Sequence, residues 1–116
     1  MSTSEIPFQL TDWNKIPKET LNGERGTVNM QIQQFGGLRI RMVEYSANYK
    51  ADHWCQRGHI IYCIDGEMDT ELSDGTVHTL RKGMTYQVSD DLSSHRTSSK
   101  NGVKLFVVDG DFLQTD

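Results

Sequence analysis

Four turn pairs punctuate the second half of this 116-residue chain: Asp65-Gly66, Asp74-Gly75, Lys82-Gly83 and Asn101-Gly102. Each adjoins a short strand-like run, namely GHIIYCI, EMDTEL, TVHTL, MTYQV and VKLFVV. Glycine at such positions supplies the positive φ that tight hairpins need. Strands of this kind, roughly nine residues apart, predict an all-β sandwich or barrel. The first half agrees. In TVNMQIQQ, Val28, Met30 and Ile32 alternate with Asn29, Gln31 and Gln33, the period of a half-buried strand. In GLRIRMVEYS, Leu38, Ile40 and Met42 share one face, expected to be the core face, and Arg39 and Arg41 share the other, expected to meet solvent. No segment carries the stripe of an amphipathic helix.

The length suits one domain. Residues 1–25 mix turn formers with charges and predict an irregular arm anchored by Phe8 and Trp13; residues 26–116 form the β domain. Only 35% of the residues are hydrophobic, so the core is economical and burial against a second copy, a homodimer, would compensate. The net charge is −4 with no cluster of Lys or Arg, which argues against nucleic acid as a partner. No apolar run approaches a membrane span. The N-terminus lacks the basic and apolar regions of a secretory signal, so the cytoplasm is the expected location. There, two cysteines read as ligand, nucleophile or core filler rather than as a bridge.

The stretch ADHWCQRGHIIYCIDGE, residues 51–67, holds His53, Cys55 and His59 within seven positions. In an extended strand their side chains would share a face, but positions i and i+6 would lie roughly 20 Å apart, too far to share an ion. A reversal at Gln56-Arg57-Gly58 would bring them together, with His53 and Cys55 ending one strand and His59 opening the next. Two imidazoles and a thiolate can then converge on one cation. His78 and His95 are the candidates for a fourth ligand. The competing readings are two surface histidines beside a buried thiol, or Cys55 as a nucleophile activated by a neighbouring imidazole.

These residues resemble the cupins, small jelly-roll β-barrels whose first motif is G-x5-H-x-H-x3-4-E-x6-G. The chain has His53-x-Cys55-x3-His59-x6-Gly66. Cys55 stands at the second His and His59 at the Glu. The second motif, G-x5-P-x-G-x2-H-x3-N, is matched more loosely. Gly83 opens it, Ser89 takes the Pro, Asp91 the second Gly, His95 arrives one residue late, and Ser99 takes the Asn. The segment DHWC, Asp52 to Cys55, resembles the signature of a cupin subgroup named for a DHCW motif. The resemblance implies a single cupin-type jelly-roll barrel and one divalent transition metal held by His53, Cys55, His59 and His95. Three imidazoles and a thiolate keep the ligand charge of the usual three imidazoles and a carboxylate, with a softer donor. Softness favours zinc, with nickel, copper or iron as alternatives.

Other residues take plainer roles. Cys63 is expected in the core, Trp54 on an outer face, and Arg57 in a turn. Asp52 either orients a ligand histidine or sits in a solvated turn. Tyr86 and Val88 face the interior if the family pattern holds. Glu44 is the one acidic candidate for an inward direction. Two functions follow for a small-molecule ligand: a metalloenzyme acting on a small metabolite, or a non-catalytic metal-dependent binding or sensing module.

Overall fold

A computed structural model describes residues 5–115. Met1–Ser4 of the expected arm and Asp116 of the expected β domain lie outside the described residues. Among the described residues nine strands run antiparallel: β1 (Glu19–Asn22), β2 (Thr27–Phe35), β3 (Leu38–Tyr45), β4 (Tyr49–Lys50), β5 (His59–Leu72), β6 (Val77–Arg81), β7 (Thr85–Val88), β8 (His95–Ser99) and β9 (Val103–Gly110). Among the described residues, helix is confined to two 3-10 turns, Trp13–Lys15 and Asp111–Leu113. No helix there is long and apolar enough to cross a membrane.

β5 joins two sheets. Its first half lies between β9 and β7 in a sheet ordered β1-β2-β3-β9-β5-β7. Its second half lies between β6 and β8, with β4 beyond β8. The chain passes from one sheet to the other at Gly66, which has φ +79°. The register against β9 slips between Cys63 and Asp65, the mark of a bulge. A Cβ on Gly66 would stand 2.3 Å from the Gly102 carbonyl oxygen. Asp65-Gly66 is therefore not a hairpin, as the sequence suggested, but a corner inside one long strand. GHIIYCI and EMDTEL belong to the same element. At Asp74-Gly75 the expected turn does form, with the Asp74 carboxylate accepting from the backbone and hydroxyl of Thr76.

The core fills the space between the sheets. β5 and β9 alternate cleanly, so that Ile61, Cys63, Leu105 and Val107 point inward and meet Val28, Val43, Met68 and Leu80. β3 reverses the expected orientation. Its inward residues are Arg39, Arg41 and Val43, and Leu38, Ile40 and Met42 face outward. The cross-strand register fixes this, because Arg39 lies opposite Asp109 and Val43 opposite the buried Leu105. Asp109 is fully buried and accepts from both guanidinium groups. Burying a charge is costly unless it is paired and hydrogen-bonded, and this carboxylate meets that condition.

The arm is partly ordered against the barrel. β1 pairs with β2, and the Thr20 hydroxyl donates to Asn29 Oδ1. Asp12 caps the first 3-10 turn, and Gln31 donates to the carbonyls of Trp13 and Ile16. Trp13 is half-buried, as its anchoring role requires. Phe8 is not an anchor, being 95% exposed.

Candidate metal centre

Cys55 and His95 lie directly opposite each other in an isolated antiparallel bridge. Cys55 N donates to His95 O at 2.8 Å, and His95 N to Cys55 O at 3.0 Å. His59 opens β5 beside Val88 of β7. The reversal between Cys55 and His59 is held by the loop before β8. Gly58 N donates to Asp90 Oδ1 at 2.6 Å, and Asp91 N donates to Gln56 O at 2.8 Å. Gly58 is needed for close approach rather than for a positive φ, since a Cβ there would stand 2.3 Å from Val88 O. Asp91, at the position of a motif glycine, takes the left-handed conformation that glycine usually supplies, with φ +61°.

The ligand-type atoms of Cys55, His59 and His95 all lie within 4.8 Å of one another. Cys55 Sγ is 3.7 Å from His59 Nε2. The two imidazole rings meet edge to face with centroids 5.4 Å apart. Each ring has its Nδ1 on an acceptor: His59 on Asp109 Oδ2 at 3.1 Å, His95 on Ser93 O at 3.0 Å. Both Nδ1 atoms must therefore carry protons, which directs the Nε2 atoms to the cluster. His95 Nε2 is buried and has no hydrogen-bond partner among the described residues. A lone pair buried in that way, beside a thiol and a second imidazole, fits a transition metal. The carboxylate and the carbonyl behind the two rings are the partners that ligand histidines use to fix their tautomers.

The electrostatics agree with this chemistry. The hydrogen bond to His59, and after it the nearby imidazole of His95, lowers the Cys55 thiol to about 5 against the opposing effect of burial. Burial is the largest influence on His59 and pulls it down, but Asp109 and Cys55 together outweigh it and the net shift is upward. Burial pushes Asp109 up, yet His59, Arg39 and Arg41 more than compensate, and the carboxylate stays ionised well below the usual range.

No family profile and no curated protein matches the chain. Solved structures do. A predicted oxalate decarboxylase from Thermotoga maritima superposes with a TM-score of 0.73 at 14% identity, over 89% of this chain and 100% of that one. The polyketide cyclase RemF from Streptomyces resistomycificus gives 0.73 at 17%, over 90% and 80%. An RmlC-like cupin from Shewanella frigidimarina gives 0.71 at 16%, over 90% and 91%. The chain has the cupin fold.

Within the cupin barrel, the expected His53 is not brought to the other three. Its side chain is 77% exposed and its Nδ1 lies 2.6 Å from Asp52 Oδ1. The cause is a bend at Asp52–His53, which breaks the strand parity that would have aligned His53 with Cys55. Asp52 thus orients His53 alone. Trp54 lies half-exposed under the Arg96 guanidinium, 4.8 Å from its ring centroid. Cys63 is fully buried and donates to the carbonyls at the β5 corner. Glu44 is exposed.

A cavity of about 550 Å³ opens between the two sheets and reaches His95. Leu72, Leu80, Met84, Tyr86 and Val88 give it an apolar wall, and among the described residues no Asp, Glu, Lys or Arg lines it. Tyr86 stands with its ring 6.2 Å from that of His95. Burial pushes its phenol upward, so it stays protonated. Thr70 is buried with its hydroxyl free of hydrogen bonds. His78, exposed and within 3.2 Å of the Thr76 hydroxyl, lines the same cavity away from the cluster.

Sequence reasoning missed Asp109 and the inward turn of Arg39 and Arg41. A signal was present. Val103, Leu105, Val107 and Asp109 share one parity, so a carboxylate ends an otherwise apolar face.

Proposed function

We propose that this cupin binds one divalent transition metal through Cys55 Sγ, His59 Nε2 and His95 Nε2, and uses it on a small, uncharged, largely apolar molecule held in the adjoining cavity. The observation that carries this reading is the buried, unpartnered Nε2 of His95 within the cluster. One thiolate and two neutral imidazoles suit zinc first, then nickel, copper or iron. Three protein ligands leave a position open, the arrangement of catalytic rather than structural zinc sites. A metal there would supply Lewis acidity toward an oxygen of the ligand.

The rest is the work of the chain's own residues. Asp109 and the Ser93 carbonyl hold the two ligand imidazoles in the required tautomer. The apolar wall excludes water, and Tyr86 presents a neutral phenol that can donate to the bound molecule. Among the described residues the cavity has no Lys or Arg to receive an organic acid; Arg39 and Arg41 do not line it and are engaged by Asp109. Enzymes share the fold, among them the polyketide cyclase and the predicted oxalate decarboxylase above. A second reading, a non-catalytic binding or sensing module, is supported by the lack of a carboxylate in the cavity to act as general base. The two free thiols suit a reducing cytoplasm, and the modest core suits a homodimer.

Elemental analysis of protein prepared without an affinity tag tests the metal. Close to one transition metal per chain is expected. Unchanged metal content in both Cys55→Ser and His59→Ala overturns the assignment. Cobalt substitution adds a second readout: a thiolate-to-cobalt absorption band that Cys55→Ser abolishes.

A further inference from the structure

The cavity between the sheets changes character from mouth to floor. At its mouth stand Val77 and Met84, 58% and 44% exposed. At its floor stand Thr70, Leu80 and His95, all buried. Two of those three carry an unpartnered polar atom: Thr70 Oγ1 and His95 Nε2 have no hydrogen-bond partner among the described residues. The metal reading accounts for His95 Nε2 and leaves Thr70 unused.

Thr70 faces the barrel interior because it shares its parity along β5 with buried Met68, between Asp69 and Glu71. Pairing sets it beside the cluster. Thr70 lies opposite Thr97 of β8, and Leu72 opposite His95, so Thr70 and His95 are diagonal neighbours on one face, roughly 7–8 Å apart. Tyr86 of β7 adds a third polar side chain, its ring 6.2 Å from that of His95. Burial pushes the Tyr86 phenol up, and the Thr70 hydroxyl is among the smaller influences that pull it down. The two hydroxyls are therefore close, yet Thr70 Oγ1 makes no hydrogen bond among the described residues. Valine would fill the same space without leaving a buried hydroxyl unsatisfied, which is costly unless the group has a use.

We infer that Thr70 and Tyr86 together receive an uncharged oxygen of the molecule bound in this cavity, and that the molecule is a neutral amphiphile that enters oxygen end first. This rests on the cavity reading proposed above and narrows it. The phenol donates to that oxygen. The Thr70 hydroxyl donates to a carbonyl or accepts from a hydroxyl. The hydrocarbon part packs on Leu72, Leu80, Met84 and Val88 and leaves between Val77 and Met84. A molecule seated there closes both hydroxyls off from water, so a plain hydrocarbon would strand them. An apolar mouth above a hydrogen-bonding floor sets the direction of entry.

Calorimetric titration of the full chain with 2-octanone, 2-octanol and octanoate tests this, on protein carrying the metal it is purified with. Both neutral probes are expected to bind, and octanoate more weakly than either. Thr70→Val and Tyr86→Phe are each expected to weaken the neutral probes by roughly 2–10-fold, the worth of one hydrogen bond, at unchanged metal content. Thr70→Val should also unfold at no lower temperature than the wild type, since it removes a hydroxyl that has no partner; a merely structural threonine would lose stability instead. NMR reads the orientation. The terminal methyl of the 2-octanone chain should contact Met84, and the methyl beside the carbonyl should contact Thr70. Failure of every probe to bind overturns the cavity reading together with this one. Binding that either variant leaves unchanged keeps the cavity and overturns the role of that hydroxyl. Octanoate bound more tightly than 2-octanone overturns the neutral class, and reversed NMR contacts overturn entry by the oxygen end.

Discussion

His59 Nδ1 lies 3.1 Å from Asp109 Oδ2, and the same carboxylate accepts from Arg39 and Arg41. One buried acid thus fixes a ligand imidazole and neutralises two inward-facing guanidinium groups. The candidate metal site and the barrel wall depend on the same side chain.

Asp109→Asn should therefore fail in two measurements at once. It leaves the two arginines without their counter-charge, and breaking a buried ion pair in this way costs about 3–5 kcal/mol. Urea unfolding should show a loss of that order. Metal affinity should also fall, by roughly 10–100-fold, the usual effect of removing the partner behind a ligand histidine. A variant with wild-type stability would show that Asp109 does not hold the arginines as described.

His53→Ala should retain the full metal content, while His95→Ala should lose it. His53 sits in solvent on Asp52, whereas His95 contributes the buried, unpartnered Nε2. Metal analysis of these two variants separates the four-ligand set implied by the motif spacing from the three-residue cluster. Loss of metal in His53→Ala would restore the larger set.

In metal-free protein, Cys55 should be a thiolate at neutral pH. Its folded value of about 5 lies below the 9.0 of an unperturbed thiol. A depressed value stabilises the folded state above the unfolded pKa, and that contribution declines as pH falls from about 9 and is lost through about 5. Iodoacetamide should label Cys55 with a pH midpoint near 5 and a plateau through neutrality. Buried Cys63 should stay unlabelled until unfolding. A midpoint near the ordinary 9.0 would show that the imidazoles do not activate the thiol.

Gly66→Ala should destabilise the barrel by about 2 kcal/mol or more, and Gly75→Ala by about 1 kcal/mol. Both glycines have positive φ, +79° and +88°. Only Gly66 also faces a backbone oxygen at 2.3 Å, whereas nothing stands within 4 Å of a Cβ on Gly75. The difference between their urea midpoints isolates the close approach at the β5 corner. Equal losses would mean that Gly102 moves aside.

The local signals in the sequence concern parity and turns, and they were sufficient for the class of fold. Period-two alternation in β2, β5 and β9 is a property of the extended backbone itself, and glycine after a polar residue marks where the chain changes direction. Cys55 and His59 were legible as a pair because a short loop separates them. His95 stood beside His78 as a candidate fourth ligand, and it took the resemblance to the cupin motifs to select it, since its backbone bridge to Cys55 spans 40 residues.

What parity cannot determine is which face of a strand turns inward, or whether a turn signal closes a hairpin or bends one strand. For β3 the decision lay with Asp109, 70 residues from Arg39, because a guanidinium enters a core only where a carboxylate meets it. For Asp65-Gly66 it lay with Gly102, whose carbonyl packs against the bend. The exclusion of His53 came from a bend that broke the expected strand geometry. Sequence alone thus determined an all-β chain with a histidine–cysteine cluster near its middle. Tertiary structure decided which of those side chains meet, since charge pairing and close backbone contact act between residues that only folding brings together.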